Sequence, residues 1–297
     1  MERARPALRT LTALSRRRFL QWLGASAALS ASGGVYARWI EPEWIEETHT
    51  QIRLSKTEPL AAPIRVLHLS DLHASDVVSL TYLDDAVSRG LRTKPDLIAL
   101  TGDFSTGPFT RWAEYTPILA KLSRAAPTFA CLGNHDGGIW TRRVRPGGWQ
   151  SAELQAVLHD CGITLLHNRR HRVLVRDHSI EMIGVGDLWA GECEPAIAFH
   201  GERPLPAGAW RLVLNHNPDA KDLFPPYAWD LMLCGHTHGG QFRLPLIGTP
   251  FAPVRDKRFV EGLHAWAGRQ IYITRGVGNV HGLRVNCRPE VTVLDLV

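Results

Sequence analysis

The chain of 297 residues has no apolar run long enough for a comfortable membrane span, which takes about 20 residues. Cysteine is scarce. Cys131, Cys161, Cys193, Cys234 and Cys287 make an odd count, and no pair has zinc-site spacing. That excludes a disulfide-built scaffold and a cysteine-ligated structural zinc. Cys131 and Cys234 lie inside apolar runs and read as small core residues. No internal repeat or low-complexity tract occurs, so repeat arrays are excluded. An excess of one charge is missing too, despite a formal net charge of +5. Six of the 34 basic residues and one of the 29 acidic residues fall in the first 18 positions, leaving 28 of each in the body. A neutral body carries no field for nucleic acid, and none is expected as a partner. What remains is an ordinary globular composition, 44% hydrophobic and 21% charged, with ten Trp.

The N-terminal arginines head a segment of their own. In "SRRRFLQWLGASAALSASGGVYA" an arginine cluster precedes a mildly apolar stretch and then small residues. "SRRRFL" resembles the twin-arginine export signal, which carries folded proteins across a bacterial inner membrane. Residues 1–37 are therefore expected to be an export signal or membrane anchor, with Val35-Tyr36-Ala37 as a cleavage site. The expected location is the periplasm or the outer face of the inner membrane, and the expected partners include the twin-arginine export machinery and a membrane surface. Residues 38–62 read as a connector, and 63–297 as one catalytic domain.

From Ile64 the chain alternates. "IRVLHLSDLH", "PDLIALTGD" and "PTFACLGNHD" are apolar runs with polar ends, separated by the helix-like "SLTYLDDAVSRGL" and "RWAEYTPILAKLSR". Strands alternating with helix-length segments indicate βαβ units and a parallel sheet. After Asp160 the strand candidates are short: "GITLLHN", "HRVLV", "SIEMIGVGD", "WRLVLNHNPD", "WDLMLCGHTH", "RQIYITRGVG" and "VTVLDLV". Their tight spacing predicts a second, more antiparallel sheet.

The polar ends carry the chemistry. Asp71, Asp103 and Asn134 are spaced 32 and 31 residues apart, about one βαβ unit each. Successive parallel strands would present them at one edge, where open α/β sheets bind ligands. His73 points the same way as Asp71 in an extended strand end. His216 ends "LVLNH", and His236 and His238 end "LMLCGHTH". Fourteen histidines make about 0.7 chance His-x-His pairs in a chain of this length, so that pair alone says little. Two Asp, one Asn and four His at strand ends say more. This donor set suits divalent Mn, Fe, Zn or Mg. Seven ligands are too many for one ion. They suit two ions sharing a carboxylate, about 3.5–4 Å apart, which activate a bridging water for displacement at phosphorus.

The motifs "DLH", "GD", "GNHD", an isolated His and "GHTH", in this order, resemble the calcineurin-like metallophosphoesterase family over about residues 64–297. The resemblance implies an α/β fold, a four-layer αββα sandwich of two mixed sheets flanked by helices. It implies Asp71, His73, Asp103 and His238 on one metal, and Asp103, Asn134, His216 and His236 on the other. It also implies a metal-bridging hydroxide as nucleophile and His135 as the acid that protonates the leaving oxygen, oriented by Asp136. Imidazole suits that task because its pKa lies near the working pH. The chain departs from protein phosphatases of the superfamily, which carry Asp-Arg-Gly where this sequence has "GDFSTG". It departs from purple acid phosphatases in having Thr106 where they place a metal-binding Tyr.

For substrate, Arg142, Arg143 and Arg145 with Trp140 and Trp149 form a Gly/Pro-rich loop suited to an anionic or lipid-linked phosphate. Arg284 and His281 are further candidates for the pocket. The expected activity is phosphodiester hydrolysis, with a lipid-linked or envelope phosphoester as the expected substrate. The alternatives are a UDP-diacylglucosamine pyrophosphatase of lipid A synthesis, against which an export signal argues, and an inactive metal-holding module.

Overall fold

The strand-end residues can meet only if two sheets bring their carboxyl edges together, and the computed structural model has that form. It describes residues 16–54, 62–137, 151–201 and 204–297. The first sheet holds β1 (Glu46–Ile52), β2 (Ile64–Leu69), β3 (Leu97–Thr101), β4 (Thr128–Cys131), β5 (Thr164–Leu165) and β12 (Glu290–Leu296), in the order β1-β12-β2-β3-β4-β5. The second holds β6 (Arg169–Val175), β7 (His178–Gly184), β8 (Trp210–Leu214), β9 (Leu231–Cys234), β10 (Gly262–Trp266) and β11 (Arg269–Ile273), in the order β10-β11-β9-β8-β7-β6. Both sheets are mixed. β2 to β5 run parallel, as do β7, β8, β9 and β11; β12, β6 and β10 pair antiparallel with a neighbour.

Period-two burial explains the layering. Ile64, Val66, Leu97, Ala99, Leu212, Leu214, Leu231 and Leu233 point between the sheets. Their alternates Leu67, Leu69, Ile98 and Leu100 face helices on the outer side of the first sheet, and Val213, Met232 and Ile273 face the outer side of the second. Strands buried on both faces read as unbroken apolar runs. The helices over the first sheet are α2 (Leu80–Arg92), α3 (Trp112–Ala125) and α4 (Ser151–Asp160). In α2, Leu80, Leu83 and Val87 lie on the buried stripe, and Ser79 caps the helix by accepting from Tyr82 N–H at 3.2 Å. Among the described residues the fourth layer is thin: α5 (Pro195–Ala198), a 3-10 segment at Pro218–Leu223, and loops.

Three expectations change. The second sheet is mostly parallel, antiparallel only at its edges; among the described residues its crossovers carry only the four-residue α5 and short 3-10 segments, too short to leave a helical period in the sequence. "GITLLHN" and "VTVLDLV" join the first sheet, not the second, as β5 at the edge beside β4 and as β12 between β1 and β2. The expected connector is largely built into the domain. Residues 46–52 form the edge strand β1, and the buried Glu41 accepts from the backbone N–H groups of Asn286 and Cys287. Upstream, α1 (Arg16–Val35) is a 20-residue helix with Arg16, Arg17 and Arg18 exposed at its start. Among the described residues, no helix is long and apolar enough to cross a membrane. All five cysteines are free thiols.

Candidate metal centre

Each strand that runs into the site stops where its apolar alternation stops, and the next few residues turn over its carboxyl end. Asp71 and His73 follow β2, Asp103 follows β3, Asn134 and His135 follow β4, His216 follows β8, and His236 and His238 follow β9. The loops are laced together. Asp71 N–H donates to Gly102 O at 2.9 Å, His73 N–H to Asp103 O at 2.9 Å, and Ala74 N–H to Phe104 O at 3.0 Å. Gly235 is demanded by close approach: a Cβ there would lie 1.9 Å from Ser70 Oγ and 2.3 Å from Asp71 Oδ2. The backbone N–H of His236 reaches both Asp71 carboxylate oxygens, at 3.1 and 3.0 Å.

The side chains converge in two halves. His73 Nε2 lies 3.1 Å from His238 Nε2, and Asp71 Oδ1 is 3.4 Å from His238 and 3.8 Å from His73. His236 Nδ1 lies 3.3 Å from His216 Nε2. Asp103 Oδ2 sits between the halves, 3.5 Å from His73 Nε2 and 3.2 Å from His216 Nε2. The two histidines of "GHTH" thus turn to different neighbours. Asp71, His73 and His238 form one set with metal-binding spacing, and Asp71, Asp103 and His216 another.

The residues fit divalent cations. Two nitrogen ligands about 2.0–2.1 Å from one ion sit roughly 3.0–3.4 Å apart, which matches both histidine pairs. Asn134 Oδ1 is buried with no hydrogen-bond partner, a costly state unless something binds it. Two imidazoles are held with a chosen nitrogen inward. His216 Nδ1 lies 2.6 Å from Thr101 O, which can only accept, so Nδ1 carries the proton and Nε2 faces the site. His73 Nδ1 is held by Thr106 Oγ1 at 2.5 Å, again leaving Nε2 inward.

Burial sets the protonation of the metal-free site. Desolvation raises the Asp71 carboxyl to about 6, against the pull of His216. Desolvation would raise Asp103 as well, but His216 and His135 hold it well below the usual carboxylate range. His216 is raised well above its ordinary value, because Asp103 outweighs the desolvation that would lower it. The pair is a buried imidazolium–carboxylate, and a cation bound there would take the place of the Nε2 proton. Burial lowers His73 to about 3 and takes His236 and His238 well below their ordinary value, so all three are neutral.

His135 lies partly exposed beside this cluster, its ring edge-to-face with His73 at 5.1 Å, and its backbone N–H donates to Asp103 Oδ1 at 2.8 Å. Asp136 orients it through the backbone. Its carboxylate accepts from Gly133 N–H at 2.8 Å, Asp103 N–H at 2.7 Å and Phe104 N–H at 2.9 Å. Above the cluster opens a cavity of about 280 Å³, lined by Asp103, Asn134, His135, His236 and His238 below and by Trp189, Phe242, Phe251, Pro253, Val280 and His281 around its wall.

One expectation is corrected. Arg284 is fully buried and does not line the cavity; its guanidinium donates to the carbonyls of Cys287, Arg275, Gly276 and Gly278. It braces the turn under Asp71 instead of meeting substrate. His281 does line the cavity. Arg142, Arg143, Arg145, Trp140 and Trp149 lie outside the described residues. Two neighbours of the site escaped the sequence reading. Trp189 stands edge-on to His236 at 4.4 Å. Asp187, which ends "SIEMIGVGD" as Asp71 ends its own run, turns back to accept from Trp189 N–H at 2.7 Å and Ala190 N–H at 2.8 Å.

Residues 64–240 match the calcineurin-like phosphoesterase family. The chain is 46% identical over 286 residues to phosphodiesterase YaeI of Escherichia coli, covering 96% of this chain and 100% of that protein. It is 32% identical over 293 residues to the uncharacterized metallophosphoesterase YkuE of Bacillus subtilis, covering 95% and 98%. It is 26% identical over 307 residues to the UDP-2,3-diacylglucosamine pyrophosphatase LpxG of Chlamydia muridarum, covering 88% and 92%.

Proposed function

Because this chain belongs to the calcineurin-like phosphoesterase family and is thereby a metal-dependent phosphoester hydrolase, we propose that it hydrolyses phosphodiesters on the floor of this cavity with two divalent ions. The observation that carries the reading is the turning of lone pairs from five strand ends onto one spot. Asp71, His73, Asp103 and His238 hold one ion; Asp103, Asn134, His216 and His236 hold the other. Asp103 would be the shared ligand, since its Oδ2 lies 3.5 Å from His73 Nε2 and 3.2 Å from His216 Nε2, nearer than Asp71 Oδ1 at 3.8 and 4.0 Å from the same two nitrogens. The oxygen and nitrogen donors suit Mn, Fe, Zn or Mg. Bound ions supply Lewis acidity toward the phosphoryl oxygens and a water acidic enough to attack near neutral pH.

The chain's own residues do the rest. His135 holds a proton at the cavity wall for the departing oxygen. Asp136 fixes where His135 stands by gripping the backbone N–H groups of Gly133, Asp103 and Phe104. The test is turnover of bis-p-nitrophenyl phosphate by Mn-, Zn- and Fe-loaded protein. His135→Ala should lower kcat by about 10²–10⁴-fold, and Asp103→Ala should abolish turnover. If both variants match the wild type, the mechanism is wrong; if the wild type turns over no phosphoester, the inactive-module reading takes its place.

The substrate we favour is lipid-linked. Support comes from the apolar wall of Trp189, Phe242, Phe251 and Val280, and from a relative whose name specifies a diacylated nucleotide sugar. That relative also sustains a second reading, cleavage of a lipid pyrophosphate bond. We further propose export by the twin-arginine route to the outer face of the inner membrane, supported by three adjacent arginines that open α1 ahead of its mildly apolar stretch. A reporter exported only when folded, fused to residues 1–40, should reach the periplasm and lose export on Arg16→Lys/Arg17→Lys. Unchanged export of that double variant would remove the proposal.

A further inference from the structure

We infer that the loop from Leu244 to Phe251 docks the mouth of the cavity on an anionic phospholipid surface. The inference rests on the lipid-substrate reading above. The loop is a closed hairpin: Leu244 N–H donates to Gly248 O at 2.8 Å, and Gly248 N–H returns to Leu244 O at 2.9 Å. Its tip puts Leu246 wholly in solvent and leaves Ile247 68% exposed. Leu246 also sits at φ 66°, a left-handed backbone that leucine rarely adopts. A strained apolar residue that contacts nothing in its own domain gains nothing there, and strain kept without internal reward marks function. Phe251, at the loop's far end, is 70% exposed yet also lines the cavity, so loop and mouth are continuous.

A second apolar element stands beside it. The segment 282–285 is bonded on both sides: Arg284 N–H donates to Ala37 O at the foot of α1, and Arg243 N–H at the base of the loop donates to Val285 O at 2.8 Å. Trp39 and Ile40 are exposed at that foot, and Leu20, Trp22 and Leu23 are exposed along α1.

Charge selects the occupant. Residues 16–40 hold four arginines and no acid. Residues 243–261 hold Arg243, Arg255, Lys257 and Arg258 against Asp256 and Glu261. Exposed aliphatic and aromatic tips among cations match a bilayer carrying anionic headgroups, which attract basic segments electrostatically.

The test is partition of the full chain, with its metals, onto sedimenting vesicles of phosphatidylcholine with and without phosphatidylglycerol. The wild type should favour the anionic vesicles, and 0.5 M NaCl should weaken the binding. Leu246→Ser/Ile247→Ser should lower partition by at least about tenfold, while Leu174→Ser, a 65% exposed leucine on β6, should leave it unchanged. Equal partition of the loop variant and wild type overturns the inference, as does equal binding to neutral and anionic vesicles. Turnover of the water-soluble diester is measured beside it and should be the same in all three proteins. Partition needs no turnover, so an inactive protein that still binds through the loop sinks the catalytic reading and leaves the docking surface standing.

Discussion

Five of the seven proposed ligands, Asp71, His73, Asp103, His236 and His238, sit at φ between 50° and 70°. Such backbone costs on the order of 1 kcal/mol per residue and persists only where the surroundings fix it. Here the surroundings are the other ligand loops. Asp187 tests how the buried site carries its charge. Burial, the largest cause, raises its carboxyl from 3.8 to about 6, with His216 pulling the other way. An acid with a raised folded pKa costs stability, and the cost is absent below about pH 4, grows as the pH rises towards 6, and is complete above it. Asp187→Asn should therefore gain roughly 2–3 kcal/mol relative to wild type between pH 4 and pH 8 in the metal-free protein. Urea unfolding at the two pH values measures it, and a shift equal at both would refute the assignment. At this scale the sequence was informative about which residues meet, because acids and imidazoles stood where apolar runs broke off. It was silent on orientation. Nothing in the text distinguishes Asp187, which turns back on its own loop, from Asp71, which turns inward; the difference lies in backbone angles fixed by neighbouring loops.

Among the elements, the turn after β4 controls the most. Asp136 ties Gly133 to Asp103 and Phe104, so one carboxylate sets the gap between two ligand loops. Asp136→Asn swaps one acceptor oxygen for an N–H group facing N–H donors. Metal affinity should fall by about 10–100-fold, measured by competition with a chromogenic chelator; unchanged affinity would reduce Asp136 to a loop residue without bearing on the metals. The strands legible beforehand were the apolar ones. β1, "EETHTQI", was missed because only Ile52 in it is buried, and an edge strand with one buried side chain has no apolar run to read. β10 was missed for the same reason: its five residues are half-buried or exposed. Arg284 misled because an arginine near a pocket motif suggests an anion, whereas here four carbonyls surround it.

The whole molecule places the proposed ligands of both sheets around one centre: Asp71, His73, Asp103 and Asn134 from the first, His216, His236 and His238 from the second. Ions bound there would clamp the two sheets together, and ligands that bind only the folded state add stability by mass action. Chelation should lower Tm by roughly 5–10 °C, from about 2.7 kcal/mol per ion at a hundredfold excess over Kd, as scanning calorimetry would show. An unchanged Tm would mean that the sheets hold without the clamp. The four-layer architecture was legible through family resemblance and the parallel half through the βαβ rhythm. The direction of the second sheet was not, since helical segments of four and six residues in its crossovers carry no readable period.

β12 lies between β1 and β2, parallel to one and antiparallel to the other. On the ribosome β1 and β2 emerge early and β12 after every other described strand. Throughout synthesis the first sheet stands with a gap in its middle, two open edges facing the space their partner will fill. Residues 71–238 can all be present, and the ligand set complete, while the floor beneath Asp71 is still open. Vectorial synthesis thus delays closure of the first sheet until β12 has left the exit tunnel.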